Sequence, residues 1–509
     1  MKKTLIASAL SALLITLPAA ASAESSLSAT LLATYSTGLA DVEEGVSSGE
    51  TVAVRGNRMY VTNANDVSLD IVDVSNPAAP RRLKRVDLKA YGAAVNSVDV
   101  SPKNLIAVAL DAHKKTNPGT VVFLTPGGRV IRTAQVGAGP DMVVFTPKGD
   151  RLLVANEGEP ECYGVGCTDP VGSISVIDVL PMKPKLTVHT IGFDDVMLPA
   201  GLRIFGPGAT PAQDLEPEYI AVSDDGKTAW VTLQENNAIA RLDLDTLSVS
   251  AIFPLGYKDH GLTGNGLDAS DRDNAINIQP WQSVLGMYQP DAIAQFRVHG
   301  KTWLITANEG DARDYAGFSE EVRARSAGTR VADAASNSKL GRLTITNVPP
   351  DGDLDNLYVF GARSVSVWDA DSGRLVWDSG DQIEHITASR LPAYFNSNNS
   401  ENTFDNRSDN KGPEPEGVAV GRVADRIYAF VGLERIGGVM VYDVTDPQAP
   451  VFEEYLVTRD FSRPAGETDS GPEILRFVPT HNSPTGTPVL AVANEISGTV
   501  NLWRLQPKP

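Results

Sequence analysis

Val-Ala-Asn-Glu-Gly (154–158), Thr-Ala-Asn-Glu-Gly (306–310) and Val-Ala-Asn-Glu-Ile (492–496) are one phrase written three times in a chain of 509 residues. An apolar run precedes each. In two of the three an alternating run follows, Gly-Ser-Ile-Ser-Val-Ile-Asp-Val (172–179) and Gly-Thr-Val-Asn-Leu-Trp-Arg-Leu (498–505). Looser versions stand at Val-Thr-Asn-Ala-Asn (61–65), Val-Ala-Leu-Asp-Ala (108–112), Val-Thr-Leu-Gln-Glu (231–235) and Phe-Val-Gly-Leu-Glu (430–434), which makes seven copies. A unit that returns at this scale decides the architecture before any local reading does.

Working outward, each copy closes the second strand of a repeat. A first strand opens after a Pro, Gly or acidic residue, a polar turn follows, and a third alternating strand often ends in Asp-Val or Asp-Leu. The repeats run over 51–76, 97–127, 141–180, 218–245, 291–371, 416–447 and 473–505. Short β-branched and aromatic runs with period two are the strand signal, and turns such as Ser223-Asp224-Asp225-Gly226 separate them. Seven such units in series predict an all-β fold, a seven-bladed β-propeller, because radial repetition protects the strand edges that an open sheet exposes. Residues 29–36 are expected to close the ring as an added strand beside 500–505. Two stacked sandwiches are the alternative. Four long loop insertions, 181–217, 247–290, 310–357 and 375–415, are placed to cover one mouth. The best helix candidate is 318–325, with Ser319 as its cap.

The ends bound where the protein works. Lys2 and Lys3, an apolar stretch over 5–20 and Ala21-Ser22-Ala23 read as a signal peptide spanning 1–23. Residues 24–509 then form a single exported domain, periplasmic or secreted, with no transmembrane anchor, and a monomer is expected. Removing the two lysines takes the formal charge from −19 to −21. That acidity excludes nucleic acid as a partner, since such affinity comes from cations neutralising phosphate. It suits divalent cations or a solvated acidic surface. Cys162 and Cys167, the two cysteines, favour a disulfide in an exported chain, with a two-thiolate metal site as the alternative.

Polar chemistry collects where the first strands begin. Glu50, Asn96, Asp141, Glu218, Asp291, Glu416 and Glu473 recur just before or at those strands. They predict a ring at one end of the channel, with the Asn-Glu phrases as a second tier at the other end. A ring of carboxylates repels itself unless it binds a cation, pairs with Arg or Lys, or holds protons; the alternative is that each caps its own turn. Asp268, Asp271 and Asp273 form an oxygen-rich loop suited to calcium, although it lacks the glycine and terminal glutamate of an EF-hand. Glu309 and Asp311 sit beside Arg313 in Asn-Glu-Gly-Asp-Ala-Arg-Asp-Tyr (308–315). Glu414 and Glu416 follow Arg407 and Lys411, and Glu434 and Arg435 end the neighbouring strand. The metal candidates are therefore Asp268, Asp271, Asp273, Asp291, Glu309, Asp311, Glu414 and Glu416. Arg313, Arg407, Lys411, Glu434 and Arg435 are the candidates for an anion or other ligand. No Gly-x-Ser-x-Gly, His-Glu-x-x-His or P-loop is present.

Leu-Asp-Ala-Ser-Asp-Arg-Asp (267–273), Gly-Met-Tyr-Gln-Pro-Asp-Ala-Ile (286–293), 307–315, 412–417 and Leu-Glu-Arg-Ile-Gly-Gly (433–438) together resemble the bacterial choice-of-anchor I family. That family is similar to the mesenchyme-specific cell surface glycoproteins of echinoderm biomineralising cells. The resemblance implies an exported propeller, often surface-attached, and some members carry an alkaline phosphatase label. It brings no catalytic residues with it, and no anchor is visible in this chain.

Two functions follow as expectations. One is a calcium-binding extracytoplasmic scaffold or binding protein whose ligand is a small molecule, a phosphate ester or a cell-surface group. The other is a metal-dependent phosphoesterase, with carboxylate-held cations at the mouth and Arg or Lys clamping phosphate. A lactonase-like hydrolase rests on fold analogy alone.

Overall fold

The computed structural model describes residues 26–40, 47–179 and 186–508, and the signal peptide read at 1–23 lies outside them. The described chain is an all-β propeller. Its α-helices are Pro211–Asp214 and Gln382–Arg390, alongside a few 3-10 turns.

Seven four-stranded antiparallel sheets follow one another along the described residues, spanning 52–87, 95–138, 140–191, 220–254, 293–378, 415–456 and 472–507. The last takes its fourth strand from the other end of the chain: Leu27–Ser36 pairs antiparallel with Thr499–Pro507, Tyr35 opposite Val500. The first strands touch in order. Val52–Arg55 meets Val95–Val100, then come Pro140–Phe145, Ile220–Val222, Ile293–Val298, Pro415–Val423 and Pro472–Val478, which returns to Val52–Arg55. Each second strand is packed between neighbouring sheets on both faces. That is why runs such as Ile106–Leu110 and Val489–Asn494 are buried throughout and read as continuous rather than alternating apolar stretches. Outer strands such as Arg81–Asp87 are charged and exposed.

The asparagine of the repeated phrase is a fastener between strands. Asn156 Nδ2 donates to Ser173 Oγ at 3.3 Å and Ser175 Oγ at 3.1 Å on the third strand. Asn308 Nδ2 donates to Ser364 Oγ at 3.2 Å and Ser366 Oγ at 2.8 Å, and Asn494 Nδ2 to Asn501 Oδ1 at 2.8 Å. All three asparagines are buried. A buried amide left without partners is costly, so the phrase recurs because the second strand needs this link at its end.

Two of the long insertions are not loops. Tyr257–Asp259, Val284–Met287, Leu357–Val359, Thr344–Thr346 and Glu321–Arg323 form one five-stranded sheet in that order. Val284–Met287 runs parallel to Leu357–Val359. Leu267, Trp281, Leu340, Leu343 and Ile345 give it a core of its own. The helix expected over 318–325 does not form. Glu321–Arg323 pairs with Thr344–Thr346, placing Val322 opposite Ile345, and Glu320 turns inward to Arg203 at 2.5 Å. Strand pairing and burial outweigh the weak propensity of so short a helix. Gln382–Arg390, the real helix, has no apolar stripe to announce it.

Cys162 and Cys167 are joined in a disulfide, which rules out the two-thiolate metal site. The loop between them carries Tyr163, packed edge-on against Tyr315 and Phe318 from the fifth-sheet insertion.

Candidate metal centre at the propeller mouth

The two acidic tiers lie at the same mouth, not at opposite ends of the channel. An antiparallel hairpin sets the start of its first strand beside the end of its second: Pro140 faces Asn156, Pro415 faces Leu433 and Pro472 faces Asn494. The residues that follow are Asp141 and Glu157, Glu416 and Glu434, Glu473 and Glu495, so they come in pairs. The register slips just after each proline, and the next partners are Val143, Val418 and Leu475. Asp141, Glu416 and Glu473 therefore sit in β-bulges, which re-aim a side chain out of the ladder. Together the tiers line a cavity of about 330 Å³, with Lys411 and Arg435 its two cations. Its rim is extended by Glu159, Glu216, Asp311 and Lys411, from connections outside the first two strands. Beneath it lies a space of about 40 Å³ bounded by Tyr219 and Arg476.

Two groups of three carboxylates bring ligand oxygens within 4.8 Å of one another: Asp291, Glu416 and Glu473, and Glu309, Glu414 and Glu434. Their electrostatics differ. Glu414 is fully enclosed and faces Arg407, Lys411 at 3.0 Å and Arg435 at 2.9 Å. Burial works to raise its pKa, but Lys411, Arg435 and Arg407 outweigh it and hold the carboxyl far below the usual range. Lys411 also pairs with Glu309, and Arg435 with Glu434 at 3.0 Å. Burial opposes the charge on Lys411, yet Glu309, Glu414 and Asp311 keep it protonated. Positive charge for this second group is thus already supplied by the chain.

The first group has none. Asp291, Glu416 and Glu473 form no ion pair among the described residues, and Glu416 Oε2 is buried without a hydrogen-bond partner. Desolvation in the channel, then repulsion from neighbours, raises all three well above a normal carboxyl: Glu309 acts on Asp291, Glu473 on Glu416, and Glu495 on Glu473. At an effective dielectric of about 20, two charges about 5 Å apart repel by roughly 3 kcal/mol. Three such pairs demand protons or a cation. Three carboxylates at this spacing match the oxygen shell of calcium, whose ligands lie at about 2.3–2.6 Å. The same burial raises other mouth groups: Asp141 to about 6, Glu235 to about 7 and Glu434 to about 8.

The remaining sequence candidates fall elsewhere or in other roles. Asp268, Asp271 and Asp273 lie in the insertion and are not among the convergent groups at the mouth. Asp268 accepts the Asn277 amide at 2.6 Å, Asp271 pairs with Arg342 at 2.6 Å, and Asp273 accepts the Ala275 amide at 3.1 Å. Asp311 lines the cavity, and its carbonyl accepts Gln289 Nε2 at 2.8 Å. Arg313 is fully enclosed and pairs with Asp214 and Glu216, away from solvent. Arg407, Lys411 and Arg435 all pair with Glu414, and Lys411 and Arg435 also line the cavity. Glu216 and Glu235 escaped the sequence reading. A signal for Glu216 existed: Glu-Pro-Glu stands at 159–161, 216–218 and 414–416, and in the last two the first Glu meets arginine while the second faces the channel.

These features define a β-propeller with a carboxylate-lined mouth. The chain belongs to the choice-of-anchor I family, whose domain model matches residues 51–447. It is 33% identical over 184 residues to Gigasin-3a of Magallana gigas, covering 33% of this chain and 65% of that protein. It is 31% identical over 288 residues to the mesenchyme-specific cell surface glycoprotein of Strongylocentrotus purpuratus, covering 48% and 37%. The chain thus spans less than two thirds of the length of both relatives. Among solved structures, Kuenenia stuttgartiensis hydrazine synthase aligns with a TM-score of 0.47 at 14% identity, over 92% of this chain and 97% of that one. The Myceliophteria thermophila Cps50 (Swd1) β-propeller domain aligns at 0.45 and 10%, over 94% and 99%. Among the described residues no helix is long and apolar enough to cross a membrane.

Proposed function

We propose that the chain is an extracellular, seven-bladed propeller, closed by its N-terminal strand, that holds a divalent cation at its mouth and serves as a binding or scaffold module. Calcium is the cation, and Asp291, Glu416 and Glu473 are its protein ligands. The single observation that carries this is the unpaired carboxylate group at the head of the channel, with Glu416 Oε2 buried and without a donor. Calcium takes six to eight oxygens, so three carboxylates leave coordination positions open toward the cavity for oxygens of an anionic partner. Export to the periplasm or the medium is supported by the family, by the disulfide and by a relative named as a cell surface glycoprotein.

Calorimetric titration of metal-stripped protein with calcium tests the reading. Saturable binding by the parent protein, weakened at least tenfold by Glu416→Gln, is expected. Equal binding by both proteins, or no heat from either, would remove the mouth as a calcium site.

A further inference from the structure

The insertion around the helix Gln382–Arg390 holds a second cluster of buried oxygens, remote from the mouth carboxylates in its hydrogen-bond network. Glu384 on this helix is its hub. Its Oε2 accepts the backbone amide of Asp268 at 3.0 Å. Its Oε1 accepts Arg363 at 2.7 Å and Asn396 Nδ2 at 2.9 Å. Asn396 Nδ2 also donates to Ser408 Oγ at 2.9 Å, and Ser408 Oγ in turn donates to Asp405 Oδ1 at 2.5 Å. One relay therefore gathers the 268–273 loop and the 395–408 segment around a common point.

The relay leaves oxygens over. Asn396 is fully buried and Asp405 is 2% exposed. Yet Asn396 Oδ1 and Asp405 Oδ2 have no hydrogen-bond partner, and neither has Ser397 Oγ in the next fully buried residue. The amide orientation is set by the two acceptors that Nδ2 serves, so Oδ1 is the free atom. The carboxylates of Asp268, Asp273 and Glu384 bear on Asp405. Arg363 pairs with Glu384, but Asp268, Asp273 and Asp405 form no ion pair among the described residues. Buried acceptor oxygens without donors, beside carboxylates that no cation of the chain pairs, call for a positive partner.

We infer that a structural cation site lies here, with Asp405 Oδ2 and Asn396 Oδ1 as its ligands and the facing acidic loop of Asp268 and Asp273 completing the charge. The donors are all oxygen, with no His or Cys in the relay, which selects a hard cation. Calcium takes oxygen ligands in a flexible geometry, whereas magnesium demands a near-ideal octahedron, so the irregular oxygen set favours calcium. Its role is to pin the insertion segment that delivers Arg407 and Lys411 to Glu414.

Two readouts on the full chain test this. Elemental analysis after dialysis in calcium should find one ion fewer in Asp405→Asn than in the parent protein, while Glu416→Gln retains this ion. Equal calcium content in Asp405→Asn and parent overturns the site. Tryptic cleavage after Arg407 and Lys411 in Glu416→Gln should slow at least tenfold when calcium replaces a chelator. This measurement leaves Asp405 unchanged, so it decides the matter even where Asp405→Asn does not fold. Cleavage at the same rate in both conditions overturns the proposal.

Discussion

Glu235→Gln isolates the cost of one mouth carboxyl. Glu235 is 6% exposed and its Oε2 has no hydrogen-bond partner. Burial, opposed by Arg313 and reinforced by Asp311, raises it from 4.5 to about 7. Below pH 4.5 folded and unfolded chains both hold the proton, and Glu235 costs nothing. As pH rises to about 7 the unfolded chain gives its proton up while the folded protein keeps it, so stability falls through that window and is level above it. At about 1.4 kcal/mol per pH unit the loss is about 3 kcal/mol. Gln has no proton to lose and shows no such fall. An unfolding entropy of roughly 1 kcal/mol/K for a chain of this size converts the difference to about 3 °C. Calorimetric melts in chelator should therefore show the variant gaining about 3 °C on the parent protein between pH 4.5 and pH 8. A gap between the two melting curves that does not change with pH would refute a buried, proton-holding Glu235.

Glu416→Gln should raise the melting temperature in chelator at pH 8, by removing one of three mutually repelling carboxylates, and should cut the rise that calcium gives the parent protein to the part supplied by the insertion site; melts with and without calcium check both signs. Asn308→Ala removes the bonds to Ser364 and Ser366 and should cost roughly 2 kcal/mol, measured by denaturant unfolding. Arg313→Leu strands Asp214 and Glu216 in the interior and should cost roughly 3–5 kcal/mol, read in the same assay.

The repeated phrase made the propeller legible because its two residues answer to different demands. Asn156, Asn308 and Asn494 recur to fasten the second strand to the third. Glu157, Glu309, Glu434 and Glu495 recur because the next position opens on the channel. The carboxylates at the first strands were equally readable, but their depth was not. Placing the tiers at opposite ends ignored that a hairpin returns to where it began, a point that Pro140 opposite Asn156 makes plain. Which acids stay unpaired depends on contacts between distant segments. Lys411 reaches Glu309 across 102 positions, and Arg313 reaches Asp214 across 99. The insertion sheet was hidden for a similar reason: Val284–Met287 and Leu357–Val359 are four- and three-residue strands that form by pairing across more than 70 positions of chain.

On the proposed function, the unpaired carboxylates at the head of the channel hold a cation. A crystal of the protein grown in calcium, with data collected for anomalous scattering, tests it most directly. An anomalous peak bounded by Asp291, Glu416 and Glu473, with carboxylate oxygens at about 2.3–2.6 Å, is expected. A calcium-saturated crystal with those three carboxylates ordered and no peak between them would contradict it.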